Sequence, residues 1–314
     1  MLGRFAADIT ARLAGQRNSL MTSVFSDKLR WQYLVRSAVN RFRPMLRRCP
    51  CCRTSDYKVV KSKMLVTTLV RCRNCQLLYR LPQDQLEFNA EFYQDDYQSG
   101  FATTCPTEPE LRVILETGFS KTEKNLSQKL ALLEALNIST DSRLLDYGAS
   151  WGYGTWQFVQ AGFEAVGFEI SRARAEYARQ MLGVQVEDHL DELEGPFDVI
   201  FSVHVLEHLP TPTLAFDLAK RLLRPGGLFV AYTPNGSEKC RQANPRRYHE
   251  SWGRLHPLYL DEAFYQSQLA DHPKMFASSS YGTQFDLEQI SNWDQRSDLT
   301  LDLSLNELLT VVVF

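Results

Sequence analysis

The 314-residue sequence predicts an α/β fold built on a doubly wound, mostly parallel sheet, preceded by a small metal-holding module and a helical extension. Three observations carry this. From residue 143 to 234, short apolar runs alternate with stretches of helical periodicity, the pattern of parallel strands joined by helices on both faces. Upstream stand two Cys-x-x-Cys pairs with strand-like segments between them. The first 48 residues hold Lys28 and nine arginines against only Asp8 and Asp27, in a chain whose net charge is −2.

In residues 1–48, Trp31, Leu34, Val35, Ala38, Val39 and Phe42 recur at helical spacing with Arg30, Arg36, Arg41 and Arg43 mostly between them, an amphipathic basic helix. A weaker stripe runs through Phe5, Ile9 and Leu13. Such a helix suits peripheral contact with an anionic membrane or a protein partner, or packing on its own protein. No apolar run reaches the ~20 residues that a membrane-spanning helix needs, and the N-terminus lacks a secretory pattern. Seven cysteines, four of them in two close pairs, fit a reducing compartment. The expectation is a cytoplasmic protein, with the basic helix either packed on its own protein or a dimer mate or serving as a peripheral attachment.

Residues 49–80 form the metal module. "CPCC" gives Cys49 and Cys52, "CRNC" gives Cys72 and Cys75, and 19 residues separate the pairs. Each pair turns two thiolates onto one ion, and four sulfurs suit a closed, structural Zn²⁺ site. Cys51 leaves an alternative ligand open, whereas Cys105 and Cys240 read as ordinary thiols. The interval shows no dense basic and aromatic interleaving, so nucleic acid is not the expected partner. Residues 81–125 are a polar connector dotted with aromatics, in which Tyr93 and Tyr97 are candidate lid residues or connector packing.

Residues 126–314 are the main domain. Leu126, Leu130 and Leu133 mark an opening helix, "RLLDYG" the first strand, and "GTWQFVQAG" a helix closed at Gly162. "FEAVGFEI" is the second strand, and Ser171 starts a helix that ends at Gly183. "VQVE" and "FDVIFSVHV" are the third and fourth strands, Pro212 opens the next helix, and "RPGG" turns into the strand "LFVAYTP".

Ligands of open α/β sheets sit beyond the carboxyl ends of the strands, where Asp146, Glu169, Glu187 and Asp188 fall. A pyrophosphate fingerprint needs GxGxxG, which "LLDYGASWGYG" does not supply. Asp146 two residues before Gly148 places a carboxylate at the loop, which suits a cationic ligand end.

These residues resemble the class I S-adenosylmethionine-dependent methyltransferases, whose first motif is an acidic residue followed by GxGxG. The match is Asp146, Gly148, Ser150 and Gly152, with serine in place of the middle glycine. "FDVIFSVHVLEHLP" and "LLRPGGLFVAYTPN" are similar to later motifs of the family. The cysteine pairs and "EFYQDDY" resemble a zinc-ribbon subgroup that often modifies sugars, glycans or secondary metabolites. "HESWGRLHPLYLDEAF" resembles the family's histidine-bearing loop.

The resemblance implies a Rossmann-like sheet of seven strands with S-adenosylmethionine and structural zinc as cofactors. Asp146, Gly148, Ala149, Ser150 and Gly152 would hold the methionine end, Glu169 and Ile170 the ribose side, and Asp188 the adenine side. His204 would form a pocket wall. Glu207, His208 and His256 stand where a general base for the acceptor is expected. The implied reaction is O- or C-methylation of a small-molecule or glycan intermediate. The alternatives are a nucleic-acid-associated zinc-ribbon protein with an RNA-modifying or degenerate domain, and an NAD-dependent dehydrogenase disfavoured by the loop.

Overall fold

A computed structural model of the chain describes residues 27–84, 104–120, 122–253, 256–283 and 285–314. The stripe through Phe5, Ile9 and Leu13 and the candidate lid residues Tyr93 and Tyr97 lie outside them. No helix among the described residues is long and apolar enough to cross a membrane.

Helix α1 (Asp27–Asn40) is followed by a ribbon of three antiparallel strands, β1 (Tyr57–Lys63), β2 (Thr67–Cys72) and β3 (Leu78–Leu81). The connector contributes α2 (Glu108–Glu116), started by a Thr107 and Glu110 capping box. Then follow α3 (Ser127–Ala135), β4 (Arg143–Tyr147), α4 (Tyr153–Gln160), β5 (Glu164–Phe168), α5 (Arg172–Tyr177), β6 (Val186–Glu187) and β7 (Phe197–Val203). A 3-10 turn, Leu206–His208, leads to α6 (Thr213–Leu222) and β8 (Leu223–Pro234). The remainder comprises α7 (Glu238–Ala243), α8 (Pro245–Ser251), β9 (Leu258–Tyr259), α9 (Glu262–Gln268), β10 (Lys274–Ser279), α10 (Leu287–Ser291), β11 (Leu299–Thr300) and β12 (Glu307–Val313).

The main sheet has the order β11-β10-β12-β8-β7-β4-β5-β6. It is parallel except for β12, which runs antiparallel to both β8 and β10. The seven strands implied by the resemblance are present, and the two-residue β11 adds an eighth at the edge by pairing with Met275 and Phe276. The chain leaves β4 outward to β5 and β6, then returns to β7 on the other side, so the carboxyl ends of β4 and β7 flank the switch point where such sheets bind ligands. "RPGG" stays inside β8 as an irregularity: β7 advances from Phe197 to Val199 while its partner jumps from Leu223 to Leu228.

One apolar cluster on the sheet joins Leu145, Ile200, Phe216, Phe229 and Phe264 to Val70, Leu77 and Tyr79 of the ribbon, and a second gathers Leu132, Leu133, Phe158, Phe201 and Val230. At about 1.5–3 kcal/mol for each large apolar side chain buried, the shared cluster fixes the ribbon on the main domain.

Backbone pairing adds to it. Strand β9, which follows His256, is the fourth strand of the ribbon sheet, with Leu78 opposite Tyr259 and Tyr79 opposite Leu258. The fully buried Arg80 donates from its backbone to Pro257 O (2.8 Å) and from its guanidinium to Gly253 O (3.3 Å) and Asp84 (2.6 Å). Lys63 Nζ donates to Trp252 O at 2.7 Å. The ribbon thus grips the chain on both sides of His256.

Helix α1 docks through polar side chains and leaves part of its apolar stripe outward. Tyr33, Arg36 and Asn40 bond to Arg80, Asp84 and Gln83, while Val35 and Val39 face outward and Phe42 follows the helix in the open. The reason is the docking surface itself, which offers a buried guanidinium, a carboxylate and a carbonyl that need polar partners.

Arg71 bonds Asp261 at 2.5 Å, and Asp261 also accepts from Phe264 N to cap α9. Asp261→Ala removes both, and chemical denaturation is expected to show a loss of about 3 kcal/mol.

Candidate functional site

Three arrangements lie along this scaffold, beginning with the sulfurs. Cys49, Cys52, Cys72 and Cys75 place their Sγ atoms within 4.8 Å of one another. Cys49 to Cys75 and Cys52 to Cys72 are each 3.4 Å apart. Tetrahedral zinc with bonds of about 2.3 Å spaces its sulfurs by roughly 3.8 Å, so the set fits a structural Zn²⁺ ion. Cys51 is not in the set, and its Sγ lies 3.5 Å from Gln268 Oε1.

The second arrangement is the turn after β4. Gly148 has φ 91° and Gly152 φ 82°, both in the left-handed region. A Cβ on Gly148 would stand 2.2 Å from Val205 Cγ2, so the turn is pressed against the segment leading to Glu207 and His208. Its amides are spent inside the protein: Gly148 N and Ala149 N both donate to Phe168 O, at 2.9 and 2.8 Å, and Gly152 N donates to Ala149 O at 2.9 Å. A phosphate cradle needs such amides unpaired and aimed outward.

Ser150 also takes a left-handed conformation, φ 53°, where its family position ordinarily has glycine. Its N–H donates to Glu169 Oε2 at 2.8 Å, which holds it there, and its buried Oγ has no partner. The other oxygen of Glu169 accepts from Ser171 N at 2.9 Å, so Ser171 starts α5 through its backbone. Burial raises the Glu169 carboxyl above its ordinary range.

Asp146 is buried, and Thr155 Oγ1 donates to it at 2.9 Å. Burial outweighs this bond and raises the carboxyl to about 7. Two buried carboxyls and an unsatisfied hydroxyl around one turn fit a ligand with a cationic end and hydroxyl groups, as S-adenosylmethionine is. Ile170 is exposed beside Glu169, and Asp188 is paired with Arg179 at 3.3 Å. Trp151 is buried and stacks on Phe119 with ring centroids 6.1 Å apart, which makes it core.

The third arrangement gathers histidines. His204 Nδ1 is 3.1 Å from Glu207 Oε1 and its Nε2 is 3.0 Å from Glu307 Oε1. Burial opposes a charge on this ring, but the two carboxylates prevail and raise it to about 9. Both nitrogens are committed, so His204 serves as a fixed cation more than as an apolar wall.

Glu207 is fully buried. Burial would raise its carboxyl, yet the His204 hydrogen bond and the nearby His208 and His256 bring it down to about 2. Its Oε2 has no hydrogen-bond partner.

The His256 and His208 rings are 5.2 Å apart, and with Glu207 they offer ligand atoms within 4.8 Å of one another, which could hold a cation. His256 Nδ1 donates to Ser251 O at 2.8 Å, which leaves Nε2 as the lone-pair nitrogen. Burial lowers the His256 pKa below its ordinary value, so the ring is neutral at pH 7.

Three members of this cluster have no local signal in the chain. Glu307 lies 103 residues from His204, Tyr281 faces the His204 ring at 5.5 Å, and Ser251 sets the His256 tautomer through its backbone.

Residues 119–290, more than half of the chain, match the family described as a methyltransferase domain. The ubiquinone biosynthesis O-methyltransferase of Alkalilimnicola ehrlichii is 28% identical over 140 residues, 38% of this chain and 57% of that protein. The enzyme of the same name from Pseudomonas aeruginosa is 26% identical over 139 residues, 38% of this chain and 60% of that one. The chain therefore spans about three fifths of the length of these curated relatives. Among solved structures, the magnesium protoporphyrin IX methyltransferase of Synechocystis superposes with a TM-score of 0.44 at 14% identity, covering 73% of this chain and 99% of that one.

The pKa of Asp146 gives a pH test. A ligand's α-amino group placed at Asp146 would be held by the ionised carboxyl, which is lost as pH falls through about 7. Calorimetric affinity for S-adenosylhomocysteine is expected to weaken roughly tenfold from pH 8 to pH 6, and Asp146→Asn to bind weakly at both.

Proposed function

Since the chain belongs to the methyltransferase-domain family of class I S-adenosylmethionine-dependent methyltransferases, we propose that it methylates a hydroxyl oxygen on a small-molecule acceptor, with His256 as the general base. The observation that carries this reading is the neutral His256 ring with its Nδ1–H tied to Ser251 O and its Nε2 left as proton acceptor beside an ionised Glu207. The names of the curated relatives support oxygen as the acceptor atom. Sugar and glycan hydroxyls fall within the same acceptor class, and the zinc-ribbon resemblance favours testing them.

S-adenosylmethionine, when bound, supplies an electrophilic methyl group. Asp146, Ser150 and Glu169 would hold it at the turn. The chain's own contribution to the reaction is chiefly position and proton removal. An acceptor hydroxyl within reach of His256 Nε2 surrenders its proton there as its oxygen becomes a nucleophile. The imidazolium so formed is stabilised by Glu207, whose negative charge is already in place because His204 and its second carboxylate, Glu307, fix it. His208 lies 3.9 Å from the same Glu207 oxygen and completes the rim.

The test is transfer of labelled methyl to a panel of catechols, phenols and nucleotide sugars by the intact protein and by His256→Gln. Turnover of the accepted compound is expected to fall by about 100-fold or more, while S-adenosylhomocysteine affinity stays within a few-fold. In the intact protein the rate is expected to decline as pH falls through a value below 6.5, because protonation removes the base. Full turnover in His256→Gln would refute its role.

A further inference from the structure

The polar docking of α1 leaves an uncovered apolar surface that methyl transfer does not use. Among the described residues, Val39, Phe42 and Met45 are 53%, 86% and 67% exposed, and Met64 and Leu65 at the β1–β2 tip are 50% and 90% exposed. The two groups are neighbours, because Arg41 Nη1 donates to Leu65 O at 2.9 Å. Gln83 N donates to Leu46 O at 2.9 Å, which seats the turn after α1 on the ribbon. An apolar patch of this kind on a rigid support marks an interaction site.

The hairpin tip adds an independent observation. Met64 and Leu65 take φ 52° and 60°, the left-handed region that favours glycine and asparagine. Two large apolar side chains stand there against conformational preference, Leu65 almost wholly exposed and Met64 half so, and their value lies in what they meet outside the molecule.

Charge identifies that partner. Arg41, Arg43, Arg47 and Arg48 are exposed around the patch, and the first 48 positions hold Lys28 and nine arginines against two aspartates in a chain whose net charge is −2. An anionic surface therefore attracts this face and repels the rest of the molecule.

We propose that this face docks on an anionic lipid bilayer, with Phe42, Met45, Met64 and Leu65 entering the interface and the arginines meeting lipid phosphates. The active cluster stays in water, and the ribbon acts as the mount between the two.

Flotation of the full chain with phosphatidylcholine vesicles, with and without phosphatidylserine, tests this. Binding is expected only with phosphatidylserine and should weaken with added salt. Phe42→Ser combined with Met64→Asn and Leu65→Asn should reduce it at least tenfold. Asparagine suits the left-handed tip, so this variant should keep its melting temperature and its S-adenosylhomocysteine affinity. Failure of the full chain to float with phosphatidylserine vesicles overturns the proposal, whether the patch is covered by residues 1–26 or serves a protein or RNA. So does unchanged flotation of the triple variant.

Discussion

The carboxyl end of β5 governs the ligand turn. Phe168 O accepts from both Gly148 and Ala149, and Glu169 accepts from Ser150 and Ser171, so the placement of four backbone N–H groups depends on two residues. This closure consumes the amides that would otherwise cradle a phosphate. It also leaves the buried Asp146 and the unpartnered Ser150 hydroxyl around the turn. A cationic, hydroxyl-bearing ligand satisfies such a site, whereas a pyrophosphate does not. The serine in the glycine position is therefore held in its left-handed conformation by Glu169.

The acceptor side depends on charges fixed before any substrate arrives. His204 sits between Glu207 and Glu307 and is kept cationic by them, while Glu207 is kept anionic by His204. His256, buried and bonded through Nδ1, stays neutral beside them. One histidine is a structural cation and the other stays neutral, and the difference is set by whether carboxylates or a carbonyl face the ring. The zinc ribbon contributes by holding Trp252, Gly253 and Pro257, the backbone around His256.

Local periodicity made the alternating strands and helices legible, and paired spacing made the cluster of four cysteines legible. What it could not carry were partners distant in the chain. Strand β9 completes the ribbon sheet from about 180 residues away, and nothing in "PLYLD" separates a ribbon strand from a loop. Glu307 and Gln268 reach His204 and Cys51 over 103 and 217 residues. The spacing of the α1 stripe was visible, but the packed side of the helix is set by Arg80 and Asp84, charges buried only by the tertiary structure. The order of the acidic strand ends was visible, whereas the pairing of Asp188 with Arg179 was not.

A crystal structure of the full chain with S-adenosylhomocysteine tests the central claim most directly. The ligand's α-amino group is expected beside Asp146, its ribose toward Glu169, and its sulfur open to the side where Glu207 and His256 stand. A ligand lying elsewhere on the sheet, or one whose sulfur faces away from His256, would contradict it.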